Sequence, residues 1–130
     1  MSSKSTEVVV DSYGWVEYFI GGSEKAAEVI EKNEIHTSLF SLVEIASRLE
    51  RARYGRVDEA ITLITQLSRV WSFDEASAIK IGKLHATLRR RILDFGVGDC
   101  FVLELAERLG AKILTGDKHF KGFKNVIFLD

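Results

Sequence analysis

Apolar residues follow two rhythms along this chain. Val8-Val9-Val10 is an unbroken run, whereas Trp15, Val16, Phe19 and Ile20 recur at i, i+1, i+4 and i+5. Three β-branched residues in a row favour extended backbone, and a run without alternation suits a strand buried on both faces, as in a parallel sheet. The second spacing is one face of a short helix from Ser12 to Ile20, stopped by Gly21-Gly22. Ser23 then caps a helix to about Asn33, and Glu34 to Thr37 reads as a strand. A longer helix starts at Ser38 or Ser41 and runs to Tyr54, with Leu42, Ile45, Ala46 and Leu49 on one face. Val57 to Leu67 is another amphipathic helix, and Arg69 to Phe73 alternates like an edge strand. Asp74 caps a helix to about Arg90, and Asp99 opens an apolar helix that Gly110 ends. Ala111 to Thr115 and Val126 to Leu129 complete the strands. Strands separated by helices predict an α/β protein with a mostly parallel, four- to five-stranded sheet flanked by helices.

Composition narrows the class. The 130 residues suit one domain spanning 1–130, with 46% hydrophobic and 28% charged residues, an ordinary globular balance. The lone Cys100 cannot form an internal disulfide, which fits a reducing, cytoplasmic setting. No apolar run approaches the roughly 20 residues needed to span a bilayer, and Met1 to Glu7 is too polar for a signal peptide. The net charge of −1 gives no global field for nucleic acid, so any such contact depends on local clusters.

The acids fall at strand–helix junctions. Asp11 follows the first strand and Asp117 the fourth. Glu44 lies early in the helix after the second strand, and Asp99 heads the helix leading into the fourth. Parallel neighbouring strands would bring these carboxylates to one edge of the sheet, where open α/β sheets gather their chemistry. Two carboxylates about 4 Å apart repel by roughly 4 kcal/mol at an effective dielectric of 20, so such a cluster holds protons or a cation. Oxygen ligands suit Mg²⁺ or Mn²⁺, and with one Cys and scattered His a zinc site is unsupported. Each acid taken singly has a structural explanation. Asp11 and Asp99 can cap helices, Ser41-Leu42-Val43-Glu44 matches a capping box, and Asp117 can start a turn. Their conjunction at one edge is what points to a site.

In this arrangement the chain resembles the PIN-domain ribonucleases, and among them the VapC-type toxins of toxin–antitoxin pairs. The resemblance rests on V-V-V-D-S at Val8 to Ser12, on Glu44, on Asp99 heading an apolar helix, and on T-G-D-K-H-F at Thr115 to Phe120. It implies a PIN-like three-layer sandwich whose Asp11, Glu44, Asp99 and Asp117 form a metal-binding catalytic site, with Thr115 and Ser12 supporting it by hydrogen bonds. Some members carry a further acid shortly after the last aspartate; here Lys118 and His119 occupy that place.

The implied activity is Mg²⁺- or Mn²⁺-dependent hydrolysis of RNA phosphodiester bonds, with a cognate antitoxin and a homodimer as implied partners. Cations are available to guide RNA: Lys118, His119, Lys121 and Lys124 beside Asp117, Arg89-Arg90-Arg91, and Arg48, Arg51, Arg53 and Arg56. Trp15, Tyr18 and Phe19 read as core and interface, and Val57 to Leu67 has apolar positions enough for a second contact. The competing reading is a catalytically inactive PIN-like interaction module, which has no reason to keep mutually repelling carboxylates. Phosphoryl-transfer folds of the receiver or haloacid-dehalogenase type also place an Asp after their first strand, but the second Asp the latter needs is Tyr13 here. No Walker loop or G-x-G-x-x-G is present.

Overall fold

A computed structural model describes residues 6–130; residues 1–5, most of the polar N-terminal segment, lie outside the described residues. The five strands are β1 (Glu7–Val10), β2 (Glu34–Ser38), β3 (Arg69–Trp71), β4 (Lys112–Thr115) and β5 (Val126–Phe128). They form one sheet in the order β3-β2-β1-β4-β5, and every pairing is parallel. The helices are α1 (Ser12–Val16), α2 (Glu24–Lys32), α3 (Leu39–Arg51), α4 (Val57–Leu67), α5 (Glu75–Arg89) and α6 (Val97–Leu109).

The valine run is the centre of this sheet. Val8, Val9 and Val10 are fully buried, and their side chains split between two cores. Val8 and Val10 pack with Trp15, Ile30, Ile45, Leu49, Ile64 and Leu114 on one face. Val9 packs with Phe95, Cys100, Val102, Leu105 and Ile113 on the other. This is the period of two expected of a strand, with both faces covered as a parallel sheet requires. Burying each valine contributes about 1.5–3 kcal/mol.

Topology positions the site. The chain moves outward from β1 to β2 and β3, then returns through α5 and α6 to place β4 on the other side of β1. Crossovers therefore diverge at β1 and β4, opening a crevice beyond the carboxyl ends of these two strands. Val10 pairs with Leu114, so Asp11 and Thr115 leave the sheet side by side.

Several boundaries differ from the periodicity reading. The first helix changes to a π-helical turn over Glu17–Gly21, which an apolar spacing of 3.6 cannot reveal. Helix α3 begins after Ser38, whose hydroxyl accepts from Phe40 N–H at 3.2 Å, and ends at Arg51. Ser41 is therefore inside the helix and buried, and the Ser41–Glu44 capping box does not form. Asp99 is the third residue of α6, which starts at Val97.

Candidate metal centre

Asp11 ends β1 and caps α1, its Oδ1 accepting from Gly14 N–H at 2.8 Å. Its Oδ2 accepts a short hydrogen bond from the Thr115 hydroxyl. That same hydroxyl oxygen accepts from Asp117 N–H at 2.9 Å, so one fully buried threonine holds two of the acids in register. Asp117 in turn caps a 3₁₀ turn over Lys118–Phe120, accepting from His119 N–H at 2.8 Å. On the opposite wall, Asp99 accepts from Gly96 N–H at 3.0 Å, half of a capping box. The structural roles of Asp11, Asp99 and Asp117 are thus real, and they aim the carboxylates at a common place.

Glu44 arrives differently. It projects from α3 across to the first turn of α6, and its carboxylate lies directly against the backbone of Gly98. A Cβ built on Gly98 would sit 2.5 Å from Glu44 Oε2. A second close approach seals the other side, where Gly116 leaves room for the Tyr13 ring. The Arg48 guanidinium lies 5.8 Å from that ring's centroid.

These residues border a cleft of about 450 Å³ lined by Ser12, Glu44, Arg48, Asp99, Asp117 and His119, among others. Asp11 is enclosed beneath it, with only 4% of its surface exposed. Burial, opposed by Thr115 and Gly14 and reinforced by the charges of Asp99 and Asp117, pushes the Asp11 carboxyl up to about 7. Burial also raises Glu44, with Asp99 adding to the effect and Ser12 and Arg48 opposing it. Asp99 is raised by its own burial and by Asp117, and lowered by Gly96 and His119. Three carboxyls that resist ionisation side by side are stabilised by a bound cation.

The donor set passes a chemical test for a divalent ion. One ligand atom each from Asp99, Asp117 and His119 lie within 4.8 Å of one another. The Nδ1 atom of His119 is buried and has no hydrogen-bond partner, although Asp117 Oδ1 lies 3.1 Å away. An orphaned nitrogen facing carboxylates fits a centre that holds a cation.

The structure brings Asp11, Glu44, Asp99, Asp117, Thr115 and Ser12 to one place. Of the cations, Arg48 and Arg51 line the cleft, whereas Arg89 and Arg90 are exposed at the end of α5. Lys118 is exposed in the 3₁₀ turn, Lys121 lies over the Phe128 ring at 5.2 Å, and Lys124 lines a separate cleft between α5, α6 and β4. Sequence reasoning missed Gly98 as the seat of Glu44 and grouped His119 with the lysines. The structure shows why: in the 3₁₀ turn capped by Asp117, the His119 ring lies beside the Asp117 and Asp99 carboxylates.

A parallel α/β sheet with carboxylates gathered at its switch point defines a class of α/β proteins whose chemistry sits beyond the carboxyl ends of the central strands. The chain belongs to the PIN-domain family, a family of nucleases, whose model matches residues 8–126. Comparison with curated proteins found no match. The fold is similar to VapC20 of Mycobacterium tuberculosis, described as a sarcin-ricin loop cleaving toxin, with 16% identity and a TM-score of 0.76 over 92% of this chain and 96% of that one. It is also similar to DNA-bound VapBC from Salmonella typhimurium (18%, TM-score 0.72, 96% and 98% of the chains). VapBC2 from Rickettsia felis, bound to a promoter DNA fragment, aligns at 16% identity and TM-score 0.72 over 95% and 98%. No helix among the described residues is long and apolar enough to cross a membrane.

Proposed function

We propose that this chain is a divalent-metal-dependent endoribonuclease, a single catalytic domain over residues 1–130 acting in the cytoplasm as the toxin of a VapBC-type pair. The observation that carries this reading is the meeting of Asp11, Glu44, Asp99 and Asp117 around one cleft, with the carboxyls of the first three raised. Asp99, Asp117 and Asp11 would hold the Mg²⁺ or Mn²⁺ ion directly or through water, and Glu44 would complete the set or orient the attacking water. The bound ion supplies a lowered water pKa and neutralises charge on the phosphate. Thr115 keeps Asp11 and the Asp117 backbone at a fixed separation. Arg48 and Arg51, on the helix that carries Glu44, offset the acidic cleft and receive the RNA phosphates. Lys118, exposed in the 3₁₀ turn beside Asp117, extends that track, with Arg89 and Arg90 further out. A cognate antitoxin is part of the proposal, supported by the VapBC complexes among the structural neighbours. So is a homodimer, for which Leu63, half-exposed on α4, offers an apolar contact.

The test is cleavage of a panel of structured and unstructured RNAs with Mg²⁺, with Mn²⁺ and with chelator. Metal-dependent cuts are expected from the wild type and none from folded Asp11→Asn or Asp117→Asn. Cleavage that persists in chelator, or in both folded variants, overturns the reading.

A further inference from the structure

His119 is the group in this centre that the acidic pattern does not account for. Its backbone N–H is committed to Asp117 Oδ1 at 2.8 Å. Its ring turns the other way round the same turn, so that Nδ1 lies 3.1 Å from Asp117 Oδ1 and 3.7 Å from Asp99 Oδ2. Nδ1 is out of reach of solvent and has no partner in hydrogen-bond geometry, although both carboxylates stand within ion-pair distance. A nitrogen and the oxygens of two carboxylates thus converge within 4.8 Å, close enough to share one ion as common ligands. The ring is held there by the turn and by Phe95, whose centroid is 6.2 Å away.

We infer that His119 Nδ1 is a direct ligand of the divalent ion, and that it makes this centre favour Mn²⁺ over Mg²⁺. The chemistry follows from the ligand. Mg²⁺ is hard, holds oxygen ligands and sheds water reluctantly, whereas imidazole nitrogen suits later first-row ions. A site of carboxylates alone discriminates little between the two ions; one nitrogen tilts it. The consequence is a metal preference set by residue 119, distinct from the four acids. The inference rests on the metal-dependent reading proposed above, and its test is chosen to fail separately.

The full-length protein is titrated with Mn²⁺ and with Mg²⁺ by calorimetry, and the Mn²⁺-loaded protein is examined by pulsed electron paramagnetic resonance for coupling to nitrogen. The wild type should show a directly bound ¹⁴N. His119→Ala should lose that coupling, and its Mn²⁺ affinity should fall roughly tenfold or more. His119→Asp should restore tight binding without the nitrogen signal and reduce the Mn²⁺-to-Mg²⁺ affinity ratio. Mn²⁺ bound through Asp99 and Asp117 with no nitrogen coupling in the wild type overturns the inference and leaves the nuclease reading standing. No binding of either ion overturns both. The wild-type spectrum needs no variant, so a misfolded substitution cannot obscure the result.

Discussion

Replacing Gly98 with alanine separates the function of the cleft from the stability of the fold. Gly98 is the second residue of α6 and has ordinary helical backbone, so alanine is intrinsically favoured there by roughly 0.5–1 kcal/mol. Its methyl group would nevertheless sit 2.5 Å from Glu44 Oε2 and 2.8 Å from Cδ, where Cβ contacts ordinarily begin at 3.4 Å. The obstacle is the end of a flexible side chain, so the carboxylate swings away and the helix does not move. The required retreat is roughly 1 Å, a displacement that can reduce a positioned catalytic step by about 10²-fold. The expected result is therefore a variant that unfolds in urea at the wild-type midpoint or slightly above it, yet cleaves RNA about two orders of magnitude more slowly. A Gly98→Ala protein that cleaves within threefold of wild type would refute the reasoning, because Glu44 would then not need its observed place. A marked drop in unfolding midpoint would refute it differently, by showing that α6 rather than Glu44 yields.

Two further substitutions probe the electrostatics and the scaffold. The Asp11 carboxyl, moved from 3.8 to about 7 by burial, keeps its proton in the folded chain at pH values where the unfolded chain has lost it. Without metal, its contribution makes the protein lose stability as pH rises from about 4 to 7, on the order of 4 kcal/mol at full ionisation. Asp11→Asn should therefore melt above wild type in chelator at pH 8, with the gap closing toward pH 4, and Mn²⁺ should reverse the order by stabilising only the wild type; parallel pH profiles would contradict this. At the β3 edge of the sheet, Trp71 Nε1–H donates to His36 Nδ1 at 2.9 Å, leaving His36 Nε2–H to donate to Glu7 at 2.5 Å. Trp71→Phe keeps an aromatic ring beside Arg69 but strands the His36 nitrogen, so it should lower stability by about 1–3 kcal/mol while RNA cleavage by the folded protein is unchanged. Loss of cleavage in a folded Trp71→Phe protein would show that this bond serves the cleft.

The sheet was legible because its physics is local. A strand covered on both faces must be apolar throughout, so Val8 to Val10 and Ile113-Leu114 announce themselves. The acids were legible because strand ends are fixed by the same runs, and Val10 beside Leu114 carries Asp11 to Thr115. Contacts decided by three-dimensional approach left no such trace. Glu44 fits a capping box in the sequence, yet α3 starts two residues before Ser41 and sends the carboxylate to Gly98. The π-helical turn at Glu17–Gly21 shifts hydrogen bonding by one residue and leaves the apolar spacing nearly untouched. His119 resembles one more cation beside three lysines until the 3₁₀ turn folds its ring toward Asp99. The His36–Trp71 bond spans residues 35 apart, and neither residue type signals the other.

The hydrogen bond from Thr115 to Asp11 joins residues 104 positions apart. During synthesis β1, β2 and β3 and the helices between them can assemble, but β4 completes the crevice only when nearly the whole domain has emerged. Until then Asp11 has neither its threonine nor the Asp117 that shares it, and no partial chain carries the centre. The acidic centre is thus born incomplete, its chemistry withheld by the order in which its strands are made.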